Sequence, residues 1–152
     1  MTRTVQGIDG LKELVGTQLG TSAPHLVTQE AVNLFADATG DHQWIHVDVE
    51  RAKAESPFGG PIAHGYLTLS LLIPMYSQVL KISDAKMGVN YGLNKVRFPA
   101  PVPVGSKIRL TATLKDVEEV AGGLQLTVAA VIEAEGASKP VCIAEPVFRT
   151  YR

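Results

Sequence analysis

Cysteine is nearly missing: Cys142 is alone among 152 residues. An intrachain disulfide and a multi-cysteine zinc site are therefore excluded. Charge of either sign is also without excess. Fourteen Lys+Arg face fifteen Asp+Glu, a net charge of −1, so nothing basic is present to grip a nucleic-acid backbone or an anionic membrane. Long apolar runs are missing too. The greasiest stretch, Tyr66 to Tyr76, is interrupted by Thr68, Ser70 and Pro74 and falls far short of the ~20 residues a bilayer span needs. The first residues hold no apolar core of a secretory signal, and the final Thr150-Tyr151-Arg152 is no peroxisomal address. A cytoplasmic protein is the expectation. Also lacking are a P-loop, Gly-x-Gly-x-x-Gly, Gly-x-Ser-x-Gly and His-Glu-x-x-His, which removes most support for nucleotide-loop, serine-hydrolase and zincin chemistry.

What is present is ordinary globular material, 45% apolar and 19% charged. The length suits one domain (1–152) with one core. Ile8, Leu11, Leu14 and Val15 predict a short amphipathic helix ending at Gly16. Thr28 reads as an N-cap with Glu30 in the first turn; Ala31, Leu34, Phe35 and Ala38 follow at helical spacing, and Gly40 closes the helix. Residues 41–63 are polar and end in Pro57, Gly59, Gly60 and Pro61, predicting a long structured loop of functional character. From His64 to about Leu80 a second helix is expected. Its apolar residues cover most of the circumference, predicting burial nearly all round, and Pro74 should bend it.

The remainder alternates with period two. Ile108, Leu110, Ala112 and Leu114 oppose polar neighbours. Leu124, Leu126, Val128, Ala130 and Ile132 do the same beyond a Gly122-Gly123 turn. An earlier strand ends near Val96 and Phe98. The last, about 140–150, contains Pro146, which favours an edge or a bulge. One long apolar helix with four or five antiparallel strands makes an α+β two-layer domain, the sheet curling around the helix.

Chemistry concentrates in Thr39-Gly40-Asp41-His42-Gln43-Trp44-Ile45-His46-Val47-Asp48. An acid at 41 and an imidazole at 46 can divide proton donation and acceptance. A capping Asp41 with a hydrogen-bonded loop His46 remains the alternative. A metal set of Asp41, His42, His46 and Asp48 is chemically possible but has no enforced spacing, and no metal is expected. The second block, Gly60-Pro61-Ile62-Ala63-His64-Gly65, runs into the apolar helix. Free amides at a helix start, beside a residue without a side chain, suit an oxyanion; Gly65 equally suits tight helix–sheet packing. His64 itself reads as a structural hydrogen-bonder.

Gly40-Asp41-x-x-x-Ile45-His46 with Ala52, Pro61-Ile62-Ala63-His64-Gly65, and Phe98-Pro99-Ala100-Pro101-Val102-Pro103-Val104-Gly105 together resemble the MaoC-like dehydratases, the (R)-specific enoyl-CoA hydratases also called hydratase 2. The three blocks stand in family order and the likeness covers about residues 25–150, nearest to short, single-unit actinobacterial members. The resemblance implies the hot-dog fold, a curved antiparallel sheet around one long helix, and a homodimer joined edge to edge. It implies reversible hydration of trans-2-enoyl-CoA to (R)-3-hydroxyacyl-CoA, with Asp41 and His46 catalytic and the Gly65 amide as oxyanion donor. No cofactor is expected, since coenzyme A belongs to the substrate. The family commonly has Asn-Pro where this chain has Gln43-Trp44, which bears on loop geometry and acyl preference. Trp44, Asn94, Lys95 and Arg97 are the remaining substrate-binding candidates, Lys95 and Arg97 as cations for the coenzyme A phosphates. Asn94 is expected to face inward by its parity with Val96 and Phe98. A hot-dog acyl-CoA thioesterase and a non-catalytic acyl-CoA-binding module are the competing functions.

Overall fold

In the computed structural model, residues 2–152 are described. Elements follow in chain order as β1 (Arg3–Val5), a 3₁₀ helix (Ile8–Leu14), β2 (Gln18–Thr21), β3 (His25–Leu26), α1 (Gln29–Thr39), α2 (Trp44–Val47), α3 (Val49–Glu55), α4 (Gly65–Val79), β4 (Leu80–Ile82), β5 (Met87–Arg97), β6 (Lys107–Val120), β7 (Gly123–Ala134) and β8 (Cys142–Tyr151). Six strands form one sheet in the order β2-β6-β7-β8-β5, with β3 beside β6. Every pairing in it is antiparallel. A separate two-stranded sheet pairs β1 with β4 in parallel, a contact that no local pattern announced.

The alternation in β6 and β7 decides where the core lies. Ile108, Leu110, Ala112, Leu114, Leu124, Leu126, Val128, Ala130 and Ile132 are all buried on one face of the sheet, and Leu67, Leu72, Met75 and Val79 of α4 pack against them. Fully burying a Leu, Ile or Met side chain is worth about 1.5–3 kcal/mol, so this single seam carries much of the fold. The expected wrapping of sheet around helix is present. Burial of α4 on every side is not: Tyr66 is 71% exposed, and Leu69, Leu71, Ile73 and Tyr76 are only partly covered. The sheet of one chain curls around one side of the helix and leaves the other beside the open edge of β5. Pro74 sits within α4 on its exposed side, as does Ser70, whose carbonyl it cannot serve.

Other expectations meet the same test. The 8/11/14 spacing forms a 3₁₀ helix, not an α-helix, with Ile8 and Leu11 buried; a period of three is the 3₁₀ repeat itself. Thr28 does cap α1, its Oγ1 accepting from the Ala31 amide at 3.1 Å, a contact worth about 1 kcal/mol. Gly40 ends α1 in the left-handed region at φ 83°, its N–H donating to Ala36. Within the loop expected over 41–63, residues 44–47 and 49–55 are instead helical, as α2 and α3. Asp48 caps α3 through the Arg51 amide at 3.1 Å, and elements of four and seven residues are too short to show a period. Finally, β8 is no edge despite Pro146, since it lies between β7 and β5. Pro146 pairs with Leu93 where the β5–β8 register slips, so the missing N–H falls at an irregularity, and β5 is the edge.

Candidate active site

Three segments distant in sequence meet at one end of α4. The left-handed turn at Gly40 releases Asp41, and α2 follows at once. Asp41 N–H donates to Thr39 Oγ1 at 3.3 Å, and the Gln43 amide donates to Asp41 Oδ1 at 3.4 Å. Its carboxylate stays exposed. His46, on α2, is 7% exposed. Two hydrogen bonds, one from the backbone and one from a side chain, strap α2 to the segment before α4. The Ile62 amide donates to the Ile45 carbonyl at 3.0 Å, and His46 Nδ1 donates to the Ile62 carbonyl at 2.7 Å. A carbonyl only accepts, so Nδ1 carries the proton and Nε2 of the neutral ring holds a lone pair. Gln29 of α1 adds a third tie, its Nε2 donating to the His46 carbonyl at 2.8 Å.

His64 completes the cluster. It is 3% exposed, and its Nε2–H donates to the backbone carbonyl of Asp41 at 2.9 Å. The His46 and His64 rings stack with centroids 3.9 Å apart at 24°, and Phe35 lies 4.9 Å from His64 on a tilted plane. One ligating atom each from Asp41, His46 and His64 falls within 4.8 Å of the others. The metal set considered from sequence is not assembled. His42 is instead paired with Asp37 at 2.9 Å, a hydrogen bond that raises its pKa above the ordinary value, and Asp48 is occupied as a cap. The new trio does not fit a shared ion as it stands. Imidazole ligates in its own plane at about 2.0–2.1 Å, and two nearly parallel stacked rings do not aim their lone pairs at one point.

Burial holds the His46 imidazole below its ordinary pKa. The Ile62 carbonyl and Asp41 offset this in part, and the neighbouring His64 pushes the same way as burial. His46 is therefore neutral at pH 7 and its Nε2 is free to accept. A histidine depressed in the folded state binds its proton more readily when unfolded. The stability owed to it is full above the unfolded value of 6.5 and declines as pH falls through the folded one. Denaturant unfolding at pH 8 and at pH 5.5 should show this loss, and His46→Gln should remove that component of the slope.

Gly65 opens α4 and its amide has no acceptor within the helix. The Phe98 ring would lie 3.1 Å from a Cβ at this position, so the packing reason for glycine is real as well. A cavity of about 350 Å³ reaches Gly65, walled by Phe58, Ile62, Thr68, Phe98 and Val141 among others; Asp41 and His46 are not among its walls. The more distant candidates are not drawn to this point. The Trp44 ring is covered by the Arg51 guanidinium at 4.2 Å. Lys95 and Arg97 are exposed on the edge strand, and Arg97 folds back onto the Val96 carbonyl at 2.7 Å.

Asn94 does not face inward. Between the pairs Leu93↔Pro146 and Val96↔Ala144, β5 advances three residues while β8 advances two. This extra residue puts Leu93 and Val96 on the same face and turns Asn94 to the other. There it lines a groove with Lys115 and Glu145 and joins Lys115 in holding the Glu145 pKa down. Cys142 is buried and its thiol pushed up to about 11 by that burial, which leaves it no nucleophile.

A curved antiparallel sheet around one apolar helix defines a hot-dog domain, and an acid and a neutral imidazole are gathered at the start of that helix. The MaoC like domain model matches residues 11–136, and the chain belongs to that family. It is similar to a protein from Mycobacterium tuberculosis named 3-hydroxyacyl-thioester dehydratase Z, with 53% identity over 97% of each chain. It is also similar to nodulation protein N from Rhizobium meliloti, 46% identical over 90% of this chain and 86% of that one. In fold it resembles the R-hydratase PhaJ1 from Pseudomonas aeruginosa, with a TM-score of 0.72 and 22% identity over 91% of this chain and 82% of the other.

His64 and Gln29 are the site residues that motif reasoning undervalued. His64 was visible as the histidine before the helix-opening glycine, but its partners lie 18 and 23 positions upstream, at His46 and Asp41. Gln29 carried no signal beyond lying in the first turn of α1.

Proposed function

We propose that this chain is an (R)-specific enoyl-thioester hydratase, adding water reversibly to a trans-2-enoyl-CoA to give the (R)-3-hydroxyacyl-CoA. The observation that carries the reading is the buried, neutral His46, its Nε2 left free by the Nδ1 contact to Ile62 and one of its ring nitrogens within 4.8 Å of a carboxylate oxygen of Asp41. The Mycobacterium tuberculosis relative, named as a 3-hydroxyacyl-thioester dehydratase, supports it across nearly the whole length.

The thioester already makes C3 electrophilic, so the chain has to supply an oriented water, a proton acceptor and stabilisation of the enolate oxygen. Asp41 and His46 hold the water between them. As its oxygen bonds to C3, its proton passes to the pair and the carbon–carbon π electrons move toward the thioester oxygen. The same pair then returns a proton to C2, so both new bonds form on one face of the substrate. The Gly65 amide donates to the thioester oxygen while it carries charge. No step calls on a redox cofactor or a resident metal.

The acyl-thioester needs more wall than one chain provides. On β5, Met87, Val89, Tyr91 and Leu93 are exposed along a sheet edge. Beside them lies a cavity of about 270 Å³ between α4 and β8, lined by Leu69, Ile73, Leu93 and Phe148 among others. An open apolar edge is a template for another strand, and pairing of β5 with β5 of a second copy covers both. Sedimentation at twice the 16.2 kDa chain mass is the required outcome. Among the described residues no helix is long and apolar enough to cross a membrane, and a cytoplasmic location is part of the same proposal.

The direct test follows absorbance of the conjugated enoyl-thioester with crotonyl-CoA. Its loss without free-thiol release is expected, and a product that yields no NADH with an (S)-specific 3-hydroxyacyl-CoA dehydrogenase. Thiol release with retention of the double bond would make the chain a thioesterase instead.

A further inference from the structure

His64 stands at the N-cap of α4, yet its side chain makes no capping hydrogen bond. N-cap side chains usually turn to their own helix amides; this one turns away, toward Asp41 and His46. Its Nε2–H holds the Asp41 carbonyl at 2.9 Å, and its face lies on His46 at 3.9 Å between centroids. Phe35 closes another side of the ring at 4.9 Å. With Nε2 committed as a donor, Nδ1 is the ring's one remaining polar atom. That atom is buried without a hydrogen-bond partner among the described residues. A side chain serving only to fill space would be apolar here. An imidazole kept at the cost of an unserved nitrogen is retained for what its other nitrogen and its face do.

We propose that His64 is a positioning residue for the Asp41–His46 pair. One contact fixes the backbone from which the carboxylate projects, and the other, with the Ile62 carbonyl on Nδ1, fixes the plane of His46. The following residue is Gly65, so a single rigid dipeptide sets the dyad and the helix-opening amide in register. This rests on the hydratase reading for its catalytic consequence, and on geometry alone for its effect on His46. The titratable groups that bear on His46 are Asp41, which favours its charged form, and His64, which opposes it; the Ile62 carbonyl also favours it.

Two variants separate the contacts. His64→Phe keeps an aromatic face for His46 but has no N–H for Asp41. His64→Gln keeps an amide N–H near the position of Nε2 but has no ring. In the enoyl-CoA assay His64→Phe should lower kcat by roughly 10- to 100-fold with KM within about threefold, because misplacing the acting groups costs turnover more than binding. His64→Gln should recover most of that loss. In His64→Gln the His46 ring, titrated by NMR, should protonate at higher pH than in the unmodified chain, since the ring that covers its face and keeps water from it is gone.

A folded His64→Phe protein with kcat within about threefold of the unmodified one would overturn the proposal, as would an unmoved His46 titration in His64→Gln. If the Phe variant fails to fold, the Gln variant decides by the same titration. Failure of the functional reading looks different: the unmodified chain would then turn over no enoyl-thioester, while the His46 titration would still report on His64.

Discussion

Asp41→Asn and His46→Gln should each slow crotonyl-CoA hydration by about 10²-fold or more, the range for removing a well-placed acid–base group. The two substitutions should leave the fold intact for different reasons. Asp41 is exposed and its side chain holds only the Gln43 amide, a contact an Asn oxygen reproduces. His46 is buried, but Gln can still offer an N–H toward the Ile62 carbonyl that His46 Nδ1 serves. The effect should fall on kcat more than on KM, because both groups act on the water and not on the acyl chain. A further consequence separates a dyad from two independent helpers. If the pair grips one water, the double variant should be no more than about tenfold slower than the worse single one, since residues acting as a unit are grossly non-additive. Loss of the full product of the two single effects would mean that the groups act on different atoms. Near-normal turnover in either folded single variant would remove that residue from the chemistry.

The second large effect is expected far from the site. Gly123→Ala should destabilise the protein by about 3 kcal/mol, the upper end of ordinary overpacking, and lower Tm by about 6–12 °C. The hairpin between β6 and β7 turns through Ala121 and Gly122, with Gly122 at φ 81° and Val120 paired to Gly123. Gly123 also pairs with Tyr151 of β8. A Cβ placed on Gly123 would collide with the backbone carbonyl of Thr150, and with Tyr151 Cα at 3.0 Å. A rigid backbone on a central strand has no rotamer to change, so the strands must part. Gly88→Ala on β5 is the control: nothing lies within 4 Å of its Cβ position, and a change within about 0.5 kcal/mol is expected there. Thermal unfolding of the two variants side by side tests the comparison, and equal Tm values would refute the close-approach argument.

The elements that could be read from the chain are those whose cause is local. The α1 ends are marked by Thr28 and Gly40 because a cap needs only the residues three or four positions away. The β6 and β7 strands are long enough for period two to be unmistakable, and the apolar stretch after His64 could only be a core helix. The Asp41–His46 block and the glycine opening α4 were legible for the same reason, as short strings with a recognisable family order.

Expectations failed where the cause was not local. Pro146 left an edge or a bulge open, and only the mismatch in β5 decides for the bulge, inside the sheet. Asn94 had the right parity to face inward until that same mismatch reversed it. The short α2 and α3 are each held by particular contacts, a strap to Ile62 and a cap at Asp48, and by no repeat of their own.

Sequence alone therefore determined α1, α4, the strands β6 and β7 with their core faces, and the identity of the acid, the imidazole and the glycine. The elements follow from periods and caps that operate within a few residues, and the site residues from short motifs in the order of the family they resemble. Tertiary structure alone decided that His46 surrenders Nδ1 to Ile62, that His64 lies flat against it while holding Asp41, and that Asn94 turns away. Each of these is a contact or register between segments whose partners are chosen by packing, and a one-residue slip in a strand reverses every side chain beyond it.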